Sequence, residues 1–349
     1  MWQAPGRVNL IGEHTDYNAG LALPFAIDRQ VVVAAARRHD GLLHCWSAHG
    51  DHDVYCEIGS LFPRAVSGWG AYPLGVVWAF GRAGFGLGGL DLAVESTVPV
   101  GRGLSSSAAL TAAVAVTVDH LAGAALGPAR LAELCHQAES GFVGVPVGLM
   151  DQLAVLCGRR DHALLLDFDR PSQEQELVPL ALRPLVVIDT GVVRRVGDGA
   201  YAERRRQCSE AAAWLGLSNL RQASWNEVNA LPDGVLRRRA RHVVSENERV
   251  IEAAARLRAG KGIGDLLWAS HASLRDDFAV SCPELDAVVE VAARAGARGA
   301  RLTGAGFGGC AIAVGVPADD LNEGLRRRFG PSGPVAFGVT PVDGAGRIL

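Results

Sequence analysis

The segment Val98-Pro99-Val100-Gly101-Arg102-Gly103-Leu104-Ser105-Ser106-Ser107-Ala108-Ala109 constrains this chain most, because a glycine turn runs straight into three serines and an alanine-rich, helix-favouring tract. Backbone N–H groups and a helix N-terminus then point at one spot, and that spot attracts an anion. Glycines admit a phosphate close to the backbone, serine hydroxyls cap the helix or ligate a metal, and the helix dipole puts roughly half a positive charge at its start. A capped helix after a turn gives the same Gly-x-Gly pattern; the run of serines moves the reading to a nucleotide. It is not a Walker loop. The one lysine, Lys261, is followed by Gly262, so G-x-x-x-x-G-K-[ST] is absent. Flanked by Gly260 and Gly262, that lysine is also a poor candidate for a protein-kinase strand lysine. Phosphates bound here are held by backbone amides, hydroxyls, a metal and arginine.

With 349 residues, 49% of them hydrophobic, the chain is long enough for two cores, and we place a domain boundary near residue 175, giving domains 1–175 and 176–349. A net charge of -3 gives no reason to expect nucleic acid. Arg204–Arg206, Arg237–Arg239 and Arg326–Arg328 lie in helical patterns and read as solvated faces. Seven scattered cysteines without C-x-x-C spacing indicate neither a disulfide framework nor a zinc site, and no leader or run of about 18 apolar residues is visible. The expectation is a cytoplasmic protein with no membrane and no obligate protein partner.

Along the chain, a short strand leads into the turn Arg7-Val8-Asn9-Leu10-Ile11-Gly12-Glu13-His14-Thr15-Asp16-Tyr17-Asn18, and a strand rich in β-branched residues follows. Arg, Asn, Glu, His, Asp and Tyr crowd together there, in the types that match a hydroxyl-rich ligand with directed donors and acceptors, a solvated turn being the alternative. Leu42–Ile58 reads as a hairpin, so His44, Cys45, His49 and His52 read as surface residues and not as a metal site. Trp69 precedes a helix; its ring serves the core or flanks a base. A buried helix over 107–126 ends at Gly127, Pro128 starts a second helix carrying Glu139, and the loop Gly141–Gly148 leads to Asp151 in the first turn of an apolar helix. Asp151 is then a cap or a catalytic carboxylate. Beyond the boundary come a strand at Leu185–Asp189, helices over 200–215, 236–259 and 264–278, and a glycine-rich turn, Ala300–Ala311, between β-like segments.

Gly6–Tyr17 resembles the signature of the galactokinase family, the serine loop resembles the second motif of the galacto-, homoserine, mevalonate and phosphomevalonate (GHMP) kinase superfamily, and Leu302–Cys310 its third. Ser273–Phe278 and Ser281–Leu285 extend the likeness over essentially the whole chain. The resemblance implies an α/β (α+β) fold of two domains with mixed and antiparallel sheets and an active site in the cleft between them. It implies ATP as co-substrate and Mg²⁺ as cofactor, with Ser107 and Glu139 at the metal-ligand positions. By the same resemblance Asp151 and Arg7 are catalytic, and Glu13, His14, Asp16, Gly148 and Tyr201 contact the sugar. Gly101, Gly103, Leu104, Ser105, Ser106, Ser107 and Trp69 face the nucleotide. Two departures stand out: the signature begins at Gly6, where family members carry a longer lead, and Val192-Val193-Arg194-Arg195 stands where many have a histidine.

The implied reaction is ATP-dependent phosphorylation of α-D-galactose at O1, the alternatives being another sugar, such as N-acetylgalactosamine, or a sensor without chemistry. Phosphoryl transfer asks for positioning and charge compensation, which an arginine, a carboxylate and Mg²⁺ on oxygen ligands supply. Asp151 takes the anomeric proton late, or chiefly orients that hydroxyl; the residues leave both open.

Overall fold

A computed structural model describes residues 1–48, 52–170, 175–192 and 199–348. Its largest sheet runs in the order Gly346–Arg347, Trp2–Asn9, Pro24–Arg37, Leu90–Ser96, Leu42–Ser47, Val54–Glu57. Its neighbours are antiparallel except Leu42–Ser47 beside Leu90–Ser96, so the sheet is mixed. On strand Trp2–Asn9 every residue but Gln3 is buried, and Ala4 and Val8 together with Phe25, Ile27, Val31 and Val33 of the next strand belong to the first core. Helices Ser106–Ala122 and Met150–Cys157 pack on these two strands. The first is lined by alanines: Ala108, Ala109, Ala112, Ala113 and Ala115 are all buried, so it lies close to the sheet. It ends four residues before the position read from the sequence, because Gly123 takes φ 68° and its N–H closes the helix on Asp119 O and His120 O.

A second sheet orders Gly299–Thr303, Cys310–Val314, Leu185–Asp189, Val335–Gly338, all antiparallel. Both of its faces are buried. Val186, Ile188, Ala300, Leu302, Ala311 and Ala313 belong to a core shared with helices Ala200–Trp214, Pro283–Arg294 and Ala318–Phe329. Leu185, Val187, Cys310, Ile312 and Val314 belong instead to the core built by the first half of the chain. Helix Val235–Arg258 also serves both, through Ala240, Val243 and Val244 in its first half and Val250, Ala253, Ala254 and Leu257 in its second. The two cores therefore meet along one sheet, whose two faces are divided between them at period 2, and one helix, divided along its length.

A small third sheet joins Leu21–Ala22, His162–Asp167 and Glu176–Pro179. None of the described helices is long and apolar enough to cross a membrane. All seven cysteines are free thiols. The arginine triplets correct the reading from sequence. Arg326–Arg328 are exposed, but Arg239 is buried and donates to Gln207 and to Asp277 O, while Arg204 donates to the carbonyls of Phe278 and Ala279 at 2.8 Å each. A helix that packs by one face buries whichever member of a triplet falls on it.

Candidate active site

Three segments distant in sequence meet at Asp151. Its Oδ1 accepts from Arg7 Nε at 2.7 Å and lies 2.7 Å from the second terminal nitrogen of that guanidinium, and its Oδ2 accepts from Ser105 Oγ at 2.5 Å. Arg7 NH1 donates to Gly103 O at 2.7 Å, and the Arg7 amide donates to Leu104 O at 3.2 Å, so the serine loop is docked on the first strand. A register shift between Pro5 and Gly6 precedes Arg7, as bulges beside functional sites often do. Arg7 is buried while the Asp151 side chain keeps 29% of its surface open. Charge-assisted bonds of this kind are stronger and more directional than neutral ones.

The reading of Asp151 as a helix cap fails on this geometry. Leu149 occupies the N-cap of helix Met150–Cys157, no side chain caps it, and both Asp151 oxygens are spent elsewhere. Nor do the serines cap their helix in the expected way: Ser105, at the N-cap of Ser106–Ala122, makes no capping bond and gives its hydroxyl to Asp151. Its backbone is left-handed at φ 59°, ψ 45°, a strained conformation for serine that aims the hydroxyl away from the helix. Gly101 and Gly103 carry φ of 72° and 82° in the turn before it.

Glu139 lies in a π-helical segment, Gln137–Val143, that continues helix Pro128–His136, and not in the α-helix expected to carry it. It is 1% exposed. Its Oε1 accepts from Gln152 Nε2 at 2.8 Å and Thr111 Oγ1 at 3.2 Å, and the Ser107 hydroxyl also reaches the carboxylate. Burial pushes this carboxyl up to about 7, with the charge of Asp151 adding to the shift and the bonds from Gln152, Ser107 and Thr111 opposing it.

The acidic turn is folded onto the second half of the chain. His14, at φ 63°, stands between two partners: Nε2 donates to Ala305 O at 3.2 Å and Nδ1 pairs with the Tyr17 hydroxyl at 2.9 Å. Tyr201 opens helix Ala200–Trp214 with its ring centroid 5.8 Å from that of His14 and 5.6 Å from that of Tyr17. Gly148 abuts Asp16; a β-carbon at residue 148 would lie 2.1 Å from Asp16 Oδ2. Glu13 is buried and its Oε1 accepts from Gly304 N at 2.6 Å and Thr303 Oγ1 at 3.2 Å. Burial pushes Asp16 up to about 6, with Asp151 and Glu13 adding and the Tyr17 amide and Arg205 opposing.

Sequence reasoning missed the residues that hold this turn. From helix Val235–Arg258, His242 Nε2 donates to Glu13 O at 3.1 Å, Glu246 accepts from Gly12 N at 3.0 Å, and Asn247 accepts from Leu21 N at 2.8 Å. A buried Glu–Asn pair in an amphipathic helix was the available signal, since such groups need partners. Trp69 stands apart from the network; half-buried against the first core, its indole donates to His52 O at 3.3 Å. His44 lies between Asp53 at 3.1 Å and Asp91 at 3.4 Å and stacks on Tyr55, while His49 and residues 193–195 lie outside the described residues. Among the described residues no three His, Cys, Asp or Glu side chains converge on a metal position.

Known families match along this scaffold. The galactokinase galactose-binding signature covers residues 1–37, the GHMP kinase N-terminal domain 71–159 and the GHMP kinase C-terminal domain 250–329. The galactokinase of Streptomyces coelicolor is 45% identical over 100% of this chain and 94% of its own length. The chain belongs to the galactokinase family. A galactokinase of Mycobacterium tuberculosis is 42% identical over 93% of this chain and 92% of its own. The crystal structure of Lactococcus lactis galactokinase complexed with galactose superposes with a TM-score of 0.92 at 32% identity, covering 99% of this chain and 94% of that one. Methanococcus jannaschii mevalonate kinase, at TM-score 0.72 and 18% identity over 98% of each chain, shares the fold. In this galactokinase-family chain Arg7, Glu13, His14 and Asp16 fall in the matched signature, and the serine loop, Glu139, Gly148 and Asp151 in the matched N-terminal domain.

Proposed function

We propose that this chain transfers the γ-phosphoryl group of ATP to O1 of α-D-galactose. The observation that carries the reading is the convergence of the signature strand and the serine loop on one carboxylate, Asp151, held by Arg7 and Ser105. Asp151 accepts or orients the anomeric hydroxyl's proton, Arg7 balances its charge and faces the incoming phosphoryl group, and the backbone of Gly101–Ser107 lines the nucleotide phosphates, with Trp69 toward the base. Glu13, His14, Asp16, Gly148 and Tyr201 form the sugar side. A panel of aldoses with coupled ADP detection tests the substrate: galactose should turn over fastest, and another sugar ahead of it would reassign the pocket.

Mg²⁺ fits the residues present. Glu139 is a buried carboxylate with no cationic partner among its contacts, beside a serine hydroxyl, and oxygen donors of this kind suit a hard cation that completes its shell with phosphate and water. Ser107 and Glu139 would hold it, and when bound it supplies charge neutralisation along the phosphates.

Two predictions concern the sugar side. As an acceptor for sugar hydroxyls Asp16 works ionised, so with a pKa near 6 the galactose KM should rise about tenfold between pH 8 and pH 5, readable from steady-state profiles. The folded state keeps the Asp16 proton that the unfolded chain releases near 3.8, so the contribution of Asp16 to the stability of the ligand-free protein falls as pH rises from about 4 to 6. Asp16→Asn should therefore stabilise at pH 8, by on the order of 2 kcal/mol, and leave the calorimetric midpoint at pH 4 unchanged. Gly148→Ala puts a methyl where Asp16 Oδ2 sits; the galactose KM should rise roughly tenfold while the ATP KM holds. An unchanged galactose KM would remove the Asp16 carboxylate from the sugar site.

A further inference from the structure

Arg301, on strand Gly299–Thr303, is fully buried, yet its guanidinium is only partly used. NH1 donates to the carbonyls of Asn9 at 3.2 Å and Leu10 at 3.1 Å, whereas Nε and NH2 are buried without a hydrogen-bond partner among the described residues. A buried cation with unspent donors costs stability that an apolar side chain of similar volume would avoid, so core packing alone does not account for it. The carboxylate nearest it is Glu13, whose Oε1 is 3.5 Å from NH2, and its charge is also felt by the buried Glu246. Glu13 Oε1 already takes Gly304 N–H at 2.6 Å, and the single Thr303 hydroxyl proton is shared between it at 3.2 Å and Asn9 O at 2.9 Å. Every donor therefore sits on one side of the carboxylate. Oε2 has no hydrogen bond among the described residues.

We propose that Arg301 is a positioning residue for the sugar site. From the third glycine-rich motif it holds the carbonyls of Asn9 and Leu10 at the end of the first strand and sets its charge beside Glu13 Oε1, where Gly304 N–H and the Thr303 hydroxyl donate, which leaves Oε2 fixed as the acceptor for a sugar hydroxyl. The inference rests on the galactokinase reading and on Glu13 touching the sugar. It makes Arg301 a determinant of sugar affinity and not of the nucleotide or of the chemical step.

The test uses the full chain with galactose and ATP, each by calorimetry and by steady-state kinetics. Arg301→Met keeps volume and removes the charge; galactose Kd and KM should both rise about tenfold or more, with ATP KM within about twofold. Arg301→Lys restores a cation and should recover part of the galactose affinity, which a purely structural role does not require. Thr303→Val, nearly isosteric, should raise the galactose Kd about threefold and serves if Arg301→Met fails to fold. Galactose affinity at the wild-type value in Thr303→Val and in a folded Arg301 variant overturns the proposal. Absence of galactose binding by the wild-type chain overturns the galactokinase reading itself, a result separable from the first.

Discussion

Asp151→Asn should lower kcat by on the order of 10² or more while the galactose dissociation constant stays within about threefold of wild type. Asparagine keeps the shape and one accepting oxygen, so a bond from Arg7 survives. The amide that replaces Oδ2 donates and cannot accept the Ser105 hydroxyl, and the negative charge facing the buried guanidinium is gone. The reacting hydroxyl then loses its proton acceptor as the phosphoryl group moves, whereas the sugar contacts on Glu13, His14 and Asp16 remain. Some stability is lost too, because Arg7 keeps its burial with less compensation; the open face of Asp151 moderates that loss. Pre-steady-state turnover beside calorimetric galactose binding separates the two effects. Near-wild-type kcat would take Asp151 out of the chemistry and leave it a clamp for Arg7.

Glu139→Gln and Ser107→Ala should each cut turnover by roughly 10- to 100-fold and raise the Mg²⁺ concentration needed for half-maximal rate, because the first removes the carboxylate charge and the second the hydroxyl oxygen offered to the cation. The two variants differ in the ligand-free protein. Glutamine in place of Glu139 removes a carboxylate that burial pushes up to about 7, so the Glu139→Gln protein should be at least as stable as wild type at pH 8. Ser107→Ala deletes a donor to that carboxylate and should be slightly less stable. Titrations of rate against free Mg²⁺, with ATP binding measured alongside, check both. Unchanged Mg²⁺ dependence in the pair would disqualify these ligands.

Much of the site was legible because it is written in contiguous stretches. The serine loop, the acidic turn and the glycine-rich turn after Leu302 each announce a backbone that must approach something closely, and the structure brings Arg7, Ser105 and Asp151 into direct contact. What stayed hidden is what depends on long-range register. Nothing local says that Glu246 and Asn247 receive the amides of Gly12 and Leu21, or that the strand of Arg301 lies across the carbonyls of Asn9 and Leu10. Capping chemistry misled for a related reason: Ser105 and Asp151 both occupy positions where capping is the usual role, and tertiary contact between them displaces it. In the fold, helices Pro283–Arg294 and Ala318–Phe329 and strand Val335–Gly338 were not read as elements. Strand Val335–Gly338 is four residues long with one buried side chain, too short for its period to register.

Phosphoryl transfer from ATP to the anomeric oxygen of galactose is read directly from the ³¹P and ¹H NMR spectrum of the reaction product with ADP quantified in the same sample. The predicted result is a sugar phosphate whose phosphorus couples to the anomeric proton of the α-anomer, formed one for one with ADP. A phosphate on any other oxygen, or ADP release no faster with galactose than without it, would contradict transfer to the anomeric oxygen.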